Sequence, residues 1–312
     1  MFSGPQRFET RLFSGNRDGR QRLTVDKMVG IDGEEPYVNV VCHYSKVRDR
    51  ASRGRLCQSE GVPAPRRDLT LTPIELIQTA SPIIGGIGGA FYFDPATLAR
   101  GKELGLDGLR FYMLGRCGVL GDVEAKVVQS AMGYFEPSMV EKLWDSARAR
   151  IQPREAGREY LACAQNFGAT KFSGLEGLET YAEAAGKVIA AQDPAALALF
   201  SGIAAEPPAS DPAALAMQMT SVLREMRGSV HLAALAACGL SPEIAHRVRR
   251  PDDIAMFGWQ EGVEVTEDHQ SRWQAAETLT DEMLVPAWSS IPEADAKAIV
   301  ETTSAMQAVL DK

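Results

Sequence analysis

Residues 211–238 read DPAALAMQMTSVLREMRGSVHLAALAAC, and the conformation of this stretch decides the fold. Asp211-Pro212 marks a helix start, because proline disfavours helix for the residue before it yet suits a first turn. The run from Pro212 to Cys238 is then one helix, with apolar side chains recurring at the helical pitch. Strands through Thr220–Leu240 would remove the basis for every assignment below. In a continuous helix Arg224, Arg227 and His231 fall at i, i+3 and i+7, which puts two guanidinium groups and an imidazole on one face. Gly228 costs about 1 kcal/mol relative to alanine inside a helix, and so points to close packing or a break.

Similar punctuation recurs along the chain. Asp193-Pro194 and Ser241-Pro242 open runs from Pro194 to Ala204 and from Pro242 to Arg249. In Thr72-Pro73-Ile74-Glu75, Thr72 can cap the backbone amides while Pro73 occupies the first turn. Gly121 to Val128 offers an Asp122 cap with apolar positions 123, 127 and 128 on one face. Pro137 starts another helix that reaches Trp144, with acidic residues near its positive end. Further helical runs cover Arg154 to Gln165, Leu175 to Ala191, Glu267 to Val285 and Glu293 to Leu310. No alternating strand run survives after residue 69. Ile83-Ile84-Gly85-Gly86-Ile87-Gly88-Gly89 lacks the spacing and the lysine of a phosphate loop, and reads as small residues for close helix packing. The expected fold is all-α: a multi-helix, bundle-like domain over residues 69–312, divisible into two helical halves near 192–212.

Residues 1–68 differ in kind. They hold 13 Lys or Arg against 9 Asp or Glu, whereas residues 69–312 hold 20 against 32. The leader is rich in Arg, Gly and Ser, and its one strand signal is Tyr37-Val38-Asn39-Val40-Val41. It reads as a poorly ordered basic extension, a solvated tail rather than an arm for nucleic acid.

Of the 312 residues 45% are hydrophobic and 24% charged, a globular composition. The net charge of -8 opposes nonspecific attraction to phosphate backbones. Five widely spaced cysteines without a Cys-x-x-Cys pair indicate neither a zinc site nor a disulfide framework. The N-terminus lacks the apolar core of a signal peptide. The most apolar stretch, Pro82 to Phe93, falls short of the roughly 20 residues that cross a bilayer. A cytoplasmic protein without a membrane partner is expected. His43, His231, His246 and His269 form no metal motif. Glu243 and His246 match one step of a di-iron bundle, but the required second copy is missing. No metal, no cofactor and no nucleophilic motif is expected, and no catalytic residue is identified. The four tryptophans read as packing anchors.

The candidate ligand-binding residues are Arg116, Arg224, Arg227 and His231. The α-helical face carrying the last three could hold a carboxylate or phosphate; the plainer alternative pairs the arginines with nearby acids and makes His231 a hydrogen-bonded, semi-buried residue. Arg116 follows the apolar run Phe111-Tyr112-Met113-Leu114 and needs an acidic partner or a bound anion.

The chain also resembles the SalK-like actinobacterial family of helical, helix-turn-helix or MarR-like proteins over residues 72–290. The resemblance is carried by Phe91-Tyr92-Phe93 with Pro95, Gly105-Leu106, Phe111-Tyr112 with Gly115-Arg116, Leu120-Gly121 and Tyr134-Phe135-Glu136-Pro137 with Trp144. It continues in Leu223-Arg224-Glu225, Arg227-Gly228 with His231, Gly239-Leu240, Gly258-Trp259 and Pro286-Ala287-Trp288. It implies a helical regulator with DNA and a small-molecule ligand as partners, and a homodimer among its forms. Two departures stand out. The family's Arg-Gly-Asp-Gly-His reads Arg227-Gly228-Ser229-Val230-His231 here, and the stretch between Gly258-Trp259 and Leu279-Thr280 is short. Glu261, Glu264, Glu267 and Asp268 make that stretch acidic, whereas a reading helix needs basic and amide side chains. The alternative is a helical small-molecule-binding protein or enzyme that uses the Arg/His face without DNA.

Overall fold

The computed structural model describes residues 71–312 apart from residue 261, together with three strands of the leader. The strands are Thr10–Asn16 (β1), Gly19–Lys27 (β2) and Val38–Asn39 (β3). β1 pairs antiparallel with β2, closing at Asn16 opposite Gly19, and β2 pairs antiparallel with β3. β3 falls within the strand signal at 37–41. β1 and β2 were not anticipated, although Asp18-Gly19 between two runs of alternating residues is a hairpin signal. The rest of the leader, and the expectation of poor order attached to it, lies outside the described residues.

The body is all-α. Its twelve helices among the described residues are Pro73–Gly89 (α1), Pro95–Glu103 (α2), Gly108–Cys117 (α3), Ala125–Met132 (α4), Pro137–Arg148 (α5) and Pro153–Lys171 (α6), then Leu178–Ala191 (α7), Ala198–Ala204 (α8), Pro212–Ala237 (α9), Pro242–Arg249 (α10), Glu267–Trp288 (α11) and Glu293–Leu310 (α12). Starts follow the capping chemistry in the sequence. Thr72 and Glu75 form a reciprocal capping box before α1, and the Asp211 and Ser241 side chains accept from the amides of Ala214 and Ile244 to open α9 and α10.

Three starts depart from the expectation. α7 begins at Leu178 rather than Leu175, after Gly177 takes a left-handed φ of 80°. α4 begins at Ala125 rather than at an Asp122 cap. The Val123 carbonyl accepts from Trp144 Nε1 at 2.9 Å, and Asp122 pairs with Arg148 at 3.1 Å, so the segment is held extended against α5. α8 begins at Ala198 rather than Pro194, after Ala196 takes a left-handed φ of 64°. An αL residue ends any helix begun at Pro194.

α9 is the axis of the body. α1, α6, α7, α8 and α11 pack around it, and α10 touches its end. Glycines allow the closest approaches. A Cβ on Gly168 of α6 would lie 2.5 Å from both the Ala213 carbonyl oxygen and the Met217 Cβ; one on Gly88 of α1 would lie 3.0 Å from the Thr220 carbonyl oxygen and from Arg224 Cβ. The glycine-rich run is thus part of a packed helix, as its reading as small packing residues requires. Gly228 behaves otherwise: α9 passes through it unbroken, and an added Cβ there would meet nothing within 4 Å. It therefore marks open space rather than close packing or a break.

One large core draws on residues from Leu76 to Met306, and Trp144 and Trp288 lie within it. A smaller core of Ala234, Leu235, Leu240, Ala245 and Ala276 joins the end of α9 to α10 and α11, with Trp273 against it. Trp259 is half-buried and donates to the Tyr134 carbonyl at 2.7 Å. No described helix is long and apolar enough to cross a membrane.

Candidate functional site

Helical periodicity brings Arg224, Glu225, Arg227 and His231 onto three successive turns of α9, but the surrounding helices divide the charged residues into two groups. The first gathers around Glu225, which is 2% exposed. Arg116 of α3 grips its carboxylate in bidentate fashion, Nε at 2.9 Å and Nη2 at 2.8 Å. The Tyr92 hydroxyl and Arg224 Nη1 each donate to Oε1 at 2.9 Å. Arg224 also donates to Tyr92 and to the Gly85 carbonyl, and Arg116 donates to Tyr112. Burial pushes the Glu225 carboxyl up, yet the Arg116 and Arg224 charges beside it prevail and hold it at about 2. Beside this group lies a cavity of about 20 Å³, lined by Arg116, Tyr160 and Glu225 among others and too small for an organic ligand.

The second group lies between α9 and α11. Arg227 Nη2 donates to Glu277 Oε2 at 2.8 Å and lies 3.7 Å from Asp281 Oδ1. His231 Nδ1 is 2.8 Å from Thr280 Oγ1, and its Nε2 is 3.5 Å from Glu277 Oε1. The imidazole is 3% exposed. Burial lowers its pKa to about 4, the Glu277 carboxylate opposing and Arg227 and Arg249 reinforcing the shift, so the ring is neutral at pH 7. The ring of Tyr134, in the turn between α4 and α5, lies nearly parallel to that of His231 at 6.4 Å between centroids. Burial pushes the Tyr134 phenol up to about 12.

The four sequence-derived residues are thus brought together in pairs, Arg116 with Arg224 and Arg227 with His231. Every arginine among them has an acidic neighbour, and His231 has a hydrogen-bonding one. Sequence reasoning missed Tyr134, Glu277 and Thr280, which reach His231 from 46 or more residues away. The spacing Glu277, Thr280, Asp281 on α11 is a polar i, i+3, i+4 stripe that could have marked a partner face. Glu243 is taken up by Arg247, and His246 faces Asp253 at 3.2 Å. Among the described residues no group of three or more His, Cys, Asp or Glu is placed to hold a metal ion.

A surface cleft of about 430 Å³ opens where the start of α5 meets α10 and the segment after it, lined by Glu136, Ser138, Glu243, Arg247 and Trp259. The backbone amide of Glu136 donates to the Phe257 carbonyl across this junction at 2.8 Å.

Residues 78–257 match a helix-turn-helix family, a span from α1 to the 3-10 turn Ile254–Phe257 that covers more than half of the chain. No curated protein and no solved structure matches it.

Proposed function

The chain belongs to a helix-turn-helix family, and from that membership we propose that it is a DNA-binding regulator whose binding answers to a small-molecule ligand. A helix-turn-helix needs two helices joined by a short turn, the second with a face free for the major groove. α4 and α5 meet this requirement within the matched span, and their junction is the observation that carries the reading. Four residues, Gly133–Glu136, join them, with Gly133 at a φ of 70°. α5 buries Val140, Leu143, Trp144 and Ala147 and leaves Pro137, Ser138, Glu141 and Lys142 exposed. α3 also follows a four-residue turn, but it buries every residue from Phe111 to Gly115 and keeps little face for DNA.

Charge favours the same region. Residues 95–171 hold 11 Lys or Arg against 9 Asp or Glu, while residues 172–312 hold 9 against 21. Exposed Lys142 lies on α5, Arg150 two residues past its end and Arg158 in the second turn of α6, so phosphate contacts belong here rather than in the acidic segment before α11. The ligand-responsive half of the reading uses Arg116, Arg224, Arg227 and His231. A cytoplasmic homodimer with SalK-like actinobacterial relatives is part of the same proposal.

A gel shift on promoter DNA, repeated across salt concentrations, tests it. Retardation should fade as salt rises, and alanine at Lys142, Arg150 or Arg158 should each reduce the slope of log affinity against log salt by about 1. Absence of retardation at low salt removes the DNA role. It leaves the second reading, a helical small-molecule binder, which the acid excess of residues 172–312 favours.

A further inference from the structure

The hydrogen bonds around His231 leave an imbalance that the fold does not resolve. Thr280 Oγ1 donates its own hydrogen to the Ala276 carbonyl at 2.6 Å, so it can only accept from the imidazole. The ring N–H is therefore on Nδ1, and Nε2 presents a lone pair. That lone pair faces another acceptor, Glu277 Oε1, at 3.5 Å, and no described donor joins them. Two acceptors turned toward each other in a buried place call for a donor between or beside them.

A converse surplus sits nearby. Arg227 Nε is buried and donates to nothing. Arg249, at the end of α10, makes no hydrogen bond or ion pair among the described residues. It is crowded by Arg250 and Arg227, with the Glu277 carboxylate as the opposing charge. Gly228, between Arg227 and His231 along α9, leaves the helix surface open where a side chain would otherwise stand.

We propose that Tyr134, Arg227, His231, Arg249 and Glu277 form a binding site for a small organic acid that carries a hydroxyl group. The carboxylate meets Arg249 and the free Nε–H of Arg227. The hydroxyl donates to His231 Nε2 or Glu277 Oε1. This rests on the ligand-responsive half of the function proposed above, and it narrows the candidate set to the Arg227–His231 pair, since Arg116 and Arg224 are engaged by Glu225. It also supplies a route to the DNA-binding element. Tyr134 belongs to the turn between α4 and α5, its ring faces His231 and His246, and its carbonyl is held by Trp259. An occupant that moves this ring acts directly on the turn.

The test titrates the full chain, without DNA, with 2-, 3- and 4-hydroxybutyrate and with butyrate, following the arginine Nε–H and histidine Cε1–H resonances by NMR. At least one hydroxy acid should bind about tenfold more tightly than butyrate, the gain of one hydrogen bond. Glu277→Gln and His231→Phe should erase that preference while butyrate still binds. Arg249→Ala, an exposed change, should weaken all four acids. If His231→Phe fails to fold, Glu277→Gln carries the comparison alone. Equal affinity for all four acids, or no shift with any of them, overturns the proposal. The gel shift is scored separately: retained DNA binding without acid binding sinks only this inference, whereas acid binding without DNA binding sinks the regulator and leaves the site.

Discussion

Burial of His231 has a consequence for stability just below neutral pH. Folded, the imidazole titrates at about 4 because burial disfavours the imidazolium; unfolded, it returns to 6.5. Between those values the unfolded chain binds the extra proton, so the stabilisation is complete above pH 6.5 and is lost as the pH falls toward 4. The loss is on the order of 3 kcal/mol. Glu225, held at about 2 by Arg116 and Arg224 against a usual 4.5, adds a further loss at lower pH in the same direction. Urea midpoints at a series of pH values should therefore fall from neutrality downward, and His231→Gln should flatten the upper part of that fall. A wild-type curve already flat across this range would mean that the ring is not held neutral. His231 was legible in the sequence as a helical residue on a polar face. Its partners were not, because Thr280 and Glu277 come from a helix whose register against α9 is set by packing.

Between elements, the contrast of Gly88 with Gly228 separates two uses of one residue type. Gly88 lets α1 approach α9 until a Cβ would press on the Thr220 carbonyl and on Arg224, and backbone there cannot yield cheaply. Gly88→Ala should cost about 1–3 kcal/mol by overpacking. Gly228→Ala meets nothing and removes a helix-weakening residue, so it should stabilise by about 1 kcal/mol. Denaturant unfolding of the two variants should move in opposite directions, and a loss at Gly228 would show that the space beside it is not free. In sequence both glycines look alike, since composition does not say what stands opposite a helix face. The starts of α4 and α8 taught a similar lesson. A plausible Asp122 cap yields to the Trp144 hydrogen bond on Val123, and a plausible Pro194 start yields to the left-handed Ala196.

For the whole molecule, α9 is the shared surface on which five helices rest. Met217 is fully buried on it, against Gly168 of α6. Met217→Ala should cost about 2–5 kcal/mol. Because the large core is contiguous from Leu76 to Met306, far-ultraviolet circular dichroism and tryptophan fluorescence should report the same lowered midpoint. Separate transitions would mean that the helices around α9 do not unfold as a unit. The sequence by itself determined the class of fold, the helices from Pro242 to Arg249 and from Glu293 to Leu310 with their ends, and the face that carries Arg224, Arg227 and His231. These follow from local rules: capping chemistry, proline's fixed φ and an apolar stripe at the helical pitch act within a few residues. Only the tertiary structure decided that Arg116 and Arg224 close on Glu225 while Arg227 and His231 meet α11. Apart from the adjacent Arg224 and Glu225, those pairings join residues 46 to 109 apart, and contacts at that range depend on how whole helices pack, which no single segment encodes.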